Sequence, residues 1–230
     1  MGQRFAGGED AITDFLMYLA THPDTAQHIS FQLAQYFVAD QPPPALVKHM
    51  QSRFIDTQGD LKTVTQAMIE HPDFAAAATR RDKFRTPYRY VVALMRASAR
   101  APQNSRPLIG TLHQLGQPLY GCITPNGWAN TQDEWLSPDA LTARLNFAVA
   151  LGGGWLPVSQ EMDDTMMDGD MSPSAGADAH HMRKRTPVDP QTVLAALGDS
   201  LPDNTVTVAK RSPPALRAAV LLGSPQMQYC

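Results

Sequence analysis

Ser137-Pro138-Asp139-Ala140-Leu141-Thr142-Ala143-Arg144-Leu145-Asn146-Phe147-Ala148-Val149-Ala150-Leu151-Gly152 reads as a helix from start to stop. Ser137 precedes a proline at the first helical position, where the missing N–H has no intrahelical acceptor to lose. Leu141, Leu145 and Val149 recur every four residues and so share one face. Gly152 stands where a left-handed residue closes a last turn.

The same grammar extends outward in both directions. Thr86-Pro87 and Asp189-Pro190 repeat the cap and proline, and Gly116 and Gly198 repeat the stop. Helical spacing joins Ile12, Phe15, Leu16 and Leu19, then Ile29, Leu33 and Phe37, then Leu46, Met50 and Phe54. It continues through Leu61, Val64 and Met68, through Val91, Leu94 and Met95, and through Leu108, Leu112 and Leu115. Val193, Leu194 and Leu197 follow, with Leu216, Val220 and Leu221 at the end. Thr205-Val206-Thr207-Val208 offers the one strand-like alternation, and it is short. Three segments share an apolar helix end, then His22-Pro23, His71-Pro72 or Ser224-Pro225. A residue before proline avoids the helical region, so each ends one helix, and Asp24 and Asp73 favour the start of the next. The histidines there serve as local hydrogen-bonding residues or, alternatively, as ligands.

The expected fold is all-α, an irregular multi-helix bundle of about eight to eleven helices with a long ordered Gly/Pro/Trp loop. That loop runs from Leu115-Gly116-Gln117-Pro118-Leu119-Tyr120-Gly121 through Asn126-Gly127-Trp128 to Trp135-Leu136-Ser137-Pro138 and holds two of the three tryptophans. Long loops of this kind are functional or disordered, and buried aromatics argue for order. The main helical domain is expected over residues 1–157. A flexible Asp/Met-rich linker or loop spans 158–186, and short C-terminal helices over 187–230 dock back on the main domain. The linker mixes Asp163, Asp164, Asp168, Asp170 and Asp178 with Met162, Met166, Met167, Met171 and Met182 before His180-His181. It reads as solvated linker or as a weak metal-binding strand.

Of 230 residues 43% are hydrophobic, enough for a core, and the net charge of −3 argues against general nucleic-acid affinity. No apolar run is long enough to cross a bilayer, and the N-terminus has no signal-peptide core, so the polypeptide as written starts in the cytoplasm. Cys122 and Cys230 read as two free thiols rather than a disulfide framework.

No catalytic residue, metal site or cofactor is assigned. Glu9-Asp10, Asp133-Glu134 and Asp163-Asp164 are sequence neighbours that diverge on a helix, and Ser30, Ser52, Ser98 and Ser105 lack a nucleophile elbow. The candidate ligand site is the loop. Trp128 and Trp135 supply flat apolar walls with N–H donors, Gln117, Tyr120 and Asn126 orienting hydrogen bonds, and Arg144 a cation. Equally, the indoles anchor the loop, and Arg144 pairs with Asp139 or Glu134. A second candidate is Lys83-Phe84-Arg85-Thr86-Pro87-Tyr88-Arg89-Tyr90, which binds a phosphate or acidic partner, or else anchors its aromatics while its cations stay solvated.

Taken together, Gly7-Gly8-Glu9-Asp10, His22-Pro23, Arg85-Thr86-Pro87 with Val91-Val92, the Leu115–Gly121 block, Asn126-Gly127-Trp128, Trp135-Leu136, Arg144-Leu145-Asn146-Phe147 and Ser224-Pro225 carry a resemblance. The chain resembles the C-terminal half of the bacterial family known as domain of unknown function 1800. The resemblance implies a helical fold and no transferable activity. It also implies a larger exported protein of which this chain lacks the N-terminal half and export signal, often encoded beside a family of alkaline-phosphatase-like fold. Either the missing half or that co-encoded protein is the implied partner. Ala129 stands where the family usually has proline, and the usual acidic residue near Arg89 is absent. Two functions follow as expectations: a non-catalytic interaction or scaffold module, or a protein that binds or hydrolyses a carbohydrate or cell-envelope fragment between Trp128 and Trp135.

Overall fold

The computed structural model describes residues 4–5, 7–158 and 186–230. The Asp/Met-rich stretch 159–185 expected as linker lies outside the described residues. The protein is all-α, with twelve α-helices among the described residues, joined by turns and short 3-10 segments. Among the described residues no helix is long and apolar enough to cross a membrane. Thr205–Val208, the candidate strand, lies inside a helix; a lone antiparallel bridge joins Phe84 and Tyr229. The chain divides into two compact units, one of residues Met1–Phe84, Asn130–Gln132 and Tyr229–Cys230, the other of Arg85–Ala129 and Asp133–Gln228.

The first unit holds α1 (Glu9–Ala20), α2 (Pro23–Phe37), α3 (Pro44–Asp56), α4 (Leu61–Glu70) and α5 (Pro72–Arg80). Its core joins Leu46, Met50 and Phe54 of α3 to Val64 and Met68 of α4. The stripe that faces this core from α2 is Ala26, Ser30 and Ala34, while Phe37 is 52% exposed. Small side chains at every fourth position let α3 approach closely; of the bulky stripe the sequence singles out, Ile29 and Leu33 pack against the edge of this core and only Phe37 turns outward. Both histidines act as helix caps. His22 Nδ1 accepts from Asp24 N and His71 Nδ1 from Asp73 N, each at 3.2 Å. An unprotonated Nδ1 is what such a bond needs, so each histidine completes the first turn of the helix after it.

The second unit holds α6 (Pro87–Ala97), α7 (Arg106–Gln114), α9 (Pro138–Gly152), α10 (Pro190–Leu197), α11 (Asp203–Arg211) and α12 (Arg217–Leu222), with Asp133–Trp135 of the one-turn α8 (Gln132–Trp135) before α9. Tyr90, Leu94, Phe147, Leu151, Val193, Leu221 and their neighbours form its core. Ser137 Oγ caps α9 by accepting from Ala140 N at 3.1 Å, and Asp189 caps α10 in the same way. Thr86 makes no such bond; the start of α6 is served from elsewhere, as described below.

Gly152 corrects another expectation. It is the buried last residue of α9, and the left-handed turn falls instead on Gly154, at φ 71°. A Cβ at Gly152 would stand 2.7 Å from Ala219 N and 2.8 Å from Ala219 Cα, so glycine is required there because the backbone of α12 passes against it. Gly116 and Gly198 do adopt positive φ. The buried side of α9 is Arg144, Phe147, Ala148 and Leu151, whereas Leu141, Leu145 and Val149 are 37–48% exposed. The helix is apolar on two sides, and the stripe read from its period is the outward one.

Candidate functional site

Lys83 is buried although it sits in the sequence as one cation among several. Its Nζ lies 2.5 Å from Asp40 Oδ1 and also donates to the carbonyl of Asn130. The other oxygen, Asp40 Oδ2, accepts from Gln132 N at 2.6 Å. Gln132 in turn accepts from Tyr229 Oη at 2.8 Å, and Tyr229 packs edge-on against Phe84 with ring centroids 5.3 Å apart. Backbone bonds between Lys83 and Cys230 run in both directions, at 2.8 and 3.3 Å. Within the first unit, then, one ion pair ties the turn after α2, the strand-like step after α5 and the segment 130–132 together. Two charges removed from water are tolerated only when geometry and further hydrogen bonds compensate, and both are present. The solvated reading of Lys83 is overturned.

The second unit has its own buried cation. Arg144 is fully buried and projects inward from α9. Its Nη1 donates to Gln228 Oε1 at 3.0 Å and its Nη2 to the Arg85 carbonyl at 2.9 Å, with the guanidinium 4.9 Å above the Tyr90 ring. Tyr90 Oη donates to the carbonyl of Arg144 at 3.0 Å. Burial pulls the guanidinium down to about 10, so it stays protonated at neutral pH, and burial pushes the Tyr90 hydroxyl up to about 12. Asp139 and Glu134, the partners expected for Arg144, are exposed. Oxygen dipoles and a ring face hold its charge instead. Arg85 donates from Nη1 to the Met227 carbonyl at 2.8 Å, so this cation too braces the backbone near the C-terminus of the unit.

The tryptophan loop carries the remaining candidates. Trp135 is 9% exposed and its Nε1 donates to the Ala129 carbonyl at 2.8 Å. Trp128, half-buried, stands beside it with ring centroids 6.0 Å apart. These two are brought together. Gln117 is buried and is the missing cap of α6: its Oε1 accepts from Tyr88 N at 2.7 Å. Asn126 is exposed, and Tyr120 is wholly exposed with φ 57°, a left-handed conformation uncommon for a bulky side chain. Of six candidate ligand-binding residues, therefore, Gln117, Trp135 and Arg144 have polar atoms committed to the fold, and Tyr120, Asn126 and Trp128 present surface to solvent.

Asp40, Gln132 and Gln228 had no role from sequence, and Tyr90 only that of an anchoring aromatic. A lone aspartate before Gln41-Pro42-Pro43 reads as a turn residue, and nothing local marks its pairing with Lys83. Both cysteines are free; Cys122 Sγ reaches the Thr124 carbonyl at 3.5 Å and Cys230 Sγ the Lys83 carbonyl at 3.6 Å. Among the described residues no three His, Cys, Asp or Glu side chains gather in a metal-holding group. In comparisons with known proteins, a family model described as a protein of unknown function (DUF1800) matches residues 1–229. No curated protein and no solved structure matches.

Proposed function

The chain belongs to the DUF1800 family, and on that premise we propose that it is a non-catalytic helical interaction module of a larger exported bacterial protein. The observation that carries this reading is α1. None of its residues is buried, and Ile12, Leu16 and Met17 are each more than half exposed, on a helix whose period would build an apolar face. Exposed apolar faces of this kind mark interaction surfaces. The use of Lys83, Arg144 and Gln117 as braces supports the same reading, since their polar atoms hold the fold. The partner in this proposal is the missing N-terminal half of the larger protein, or the co-encoded protein of alkaline-phosphatase-like fold. Co-expression followed by size-exclusion chromatography tests it. The wild-type chain should co-elute with one of these, and the double variant Ile12→Glu/Leu16→Glu should elute alone with an unchanged melting curve. A monomeric chain that binds neither partner nor a hydrophobic dye removes the proposal.

A second reading, capture of a carbohydrate or cell-envelope fragment, is favoured by the half-buried Trp128 resting against Trp135. Indole fluorescence titrated with envelope glycans should shift in the wild type and be flat in Trp128→Ala.

A further inference from the structure

We propose that the second unit carries a separate binding cleft, between α9 and α11 over α12, for an uncharged single-chain amphiphile: an acyl chain joined to a neutral head rich in hydrogen-bond acceptors. The cleft has a volume of about 580 Å³, within the range of small-molecule sites. One wall is the outward stripe of α9, Leu145 and Val149; the facing wall is Val208 and Leu216. Val220 and the small residues Ala219 and Gly223 make the floor. Leu145 and Val149 on α9 and Leu216 before α12, all of which the sequence marks as core-forming, thus line an open cleft, while α9 and α12 pack against each other beneath it. Leu145, Val149, Val208 and Leu216 are 39–57% exposed there, an apolar concavity costly to leave facing water.

One end of the cleft is polar, formed by Asn204, Thr205 and Ser224. Ser224 is 4% exposed, and its hydroxyl is buried without a hydrogen-bond partner among the described residues. A buried hydroxyl in that condition is unusual and costs free energy until an acceptor reaches it. Asn204 Oδ1 accepts from Thr205 N at 2.7 Å, which leaves the amide N–H groups of Asn204 as the donors on offer. Both groups can therefore donate to acceptor oxygens. None of the described lining residues carries a charge, so among them a carboxylate, phosphate or quaternary ammonium head would lose hydration with nothing to pair it. Long apolar walls, an end of donors and no charge fit an ester or polyol head on one hydrocarbon chain.

The test uses the full chain, the uncharged fluorophore N-phenylnaphthylamine and glycerol monolaurate. The fluorophore should brighten on binding, and glycerol monolaurate should displace it at lower concentration than laurate. Val208→Trp fills the cleft from an exposed position, so it should abolish brightening while leaving the melting curve in place. Ser224→Ala should weaken glycerol monolaurate by about five-fold, the value of one hydrogen bond, and leave fluorophore affinity unchanged. Brightening that survives Val208→Trp overturns the proposal, as does laurate that competes as well as the monoester, or a monoester affinity unmoved by Ser224→Ala. Brightening lost only in Ile12→Glu/Leu16→Glu would place binding on α1 and overturn the cleft while leaving the interaction module standing.

Discussion

Replacing Asp40 by alanine removes the carboxylate that pairs with the Lys83 ammonium in the first unit. The Lys83 side chain is 2% exposed and that of Asp40 17%, so water cannot take over from the carboxylate without the segment opening. Removing one partner of a buried ion pair costs about 3–5 kcal/mol, and the orphaned Gln132 N–H adds a further penalty of about 1–3 kcal/mol where it stays dry. Asp40 retains some solvent contact, so water can reach the Gln132 N–H and the loss stays near the low end of the first figure, about 3 kcal/mol. Against a total stability of about 5–15 kcal/mol that is a large share. With a urea slope of about 2 kcal/mol/M, the midpoint followed by far-UV circular dichroism should fall by about 1.5 M. Tryptophan fluorescence is the wrong probe, because all three indoles belong to the second unit. Hydrogen exchange gives an independent local reading, since the Gln132 amide loses its acceptor and should exchange faster. The control is Lys83→Met combined with Asp40→Asn, which removes both charges at nearly constant volume and keeps an oxygen for Gln132 N. It should lie within about 1 kcal/mol of wild type. A loss under about 1 kcal/mol in Asp40→Ala, or a double variant no more stable than the single one, refutes the reasoning.

Gln117→Ala should cost about 1–2 kcal/mol by uncapping α6, read as a lower urea midpoint, and Gln117→Glu should recover most of it. His71→Ala removes the acceptor for Asp73 N and should cost about 1 kcal/mol, with the exchange of that amide accelerated. Gly152→Ala drives a methyl into the backbone of α12 and should destabilise by about 1–3 kcal/mol in thermal unfolding, whereas Gly110→Ala, with open space at its Cβ, should not. In an alkaline titration followed by tyrosinate absorbance, Tyr90 should ionise near pH 12, and Tyr90→Phe should delete that step. Its folded-state value lies above the ordinary one near 10, so its contribution to stability is complete below pH 10 and is lost as pH climbs through 12.

Helices with their own start and stop signals were legible because those signals act within a turn or two: Ser137, Asp189 and the His-Pro pairs all cap as their spacing implies. Which face of a helix is buried was less legible. On α2 the small stripe Ala26-Ser30-Ala34 takes the centre of the interface and Ile29 and Leu33 its edge, and on α9 both faces are apolar, so only the neighbour selects between them. The loop could be recognised as an ordered tryptophan-bearing feature, whereas the duties of Gln117 and Arg144 depend on contacts made 29 and 84 residues away. Lys83 and Asp40 lie 43 residues apart, and nothing in either neighbourhood names the other. No Gly- or Pro-rich connector marks the change of unit at Phe84–Arg85.

Because the first unit recruits Asn130–Gln132 and Tyr229–Cys230 as well as Met1–Phe84, neither unit corresponds to one uninterrupted length of coding sequence. A fragment cut after Phe84 would be expressed with Lys83 and Asp40 but without the carbonyl and amide of the 130–132 segment that complete their cage. Deletion mapping of this protein will therefore mistake folding failure for loss of a binding region unless point substitutions, made in the intact polypeptide, replace truncation as the means of dissection.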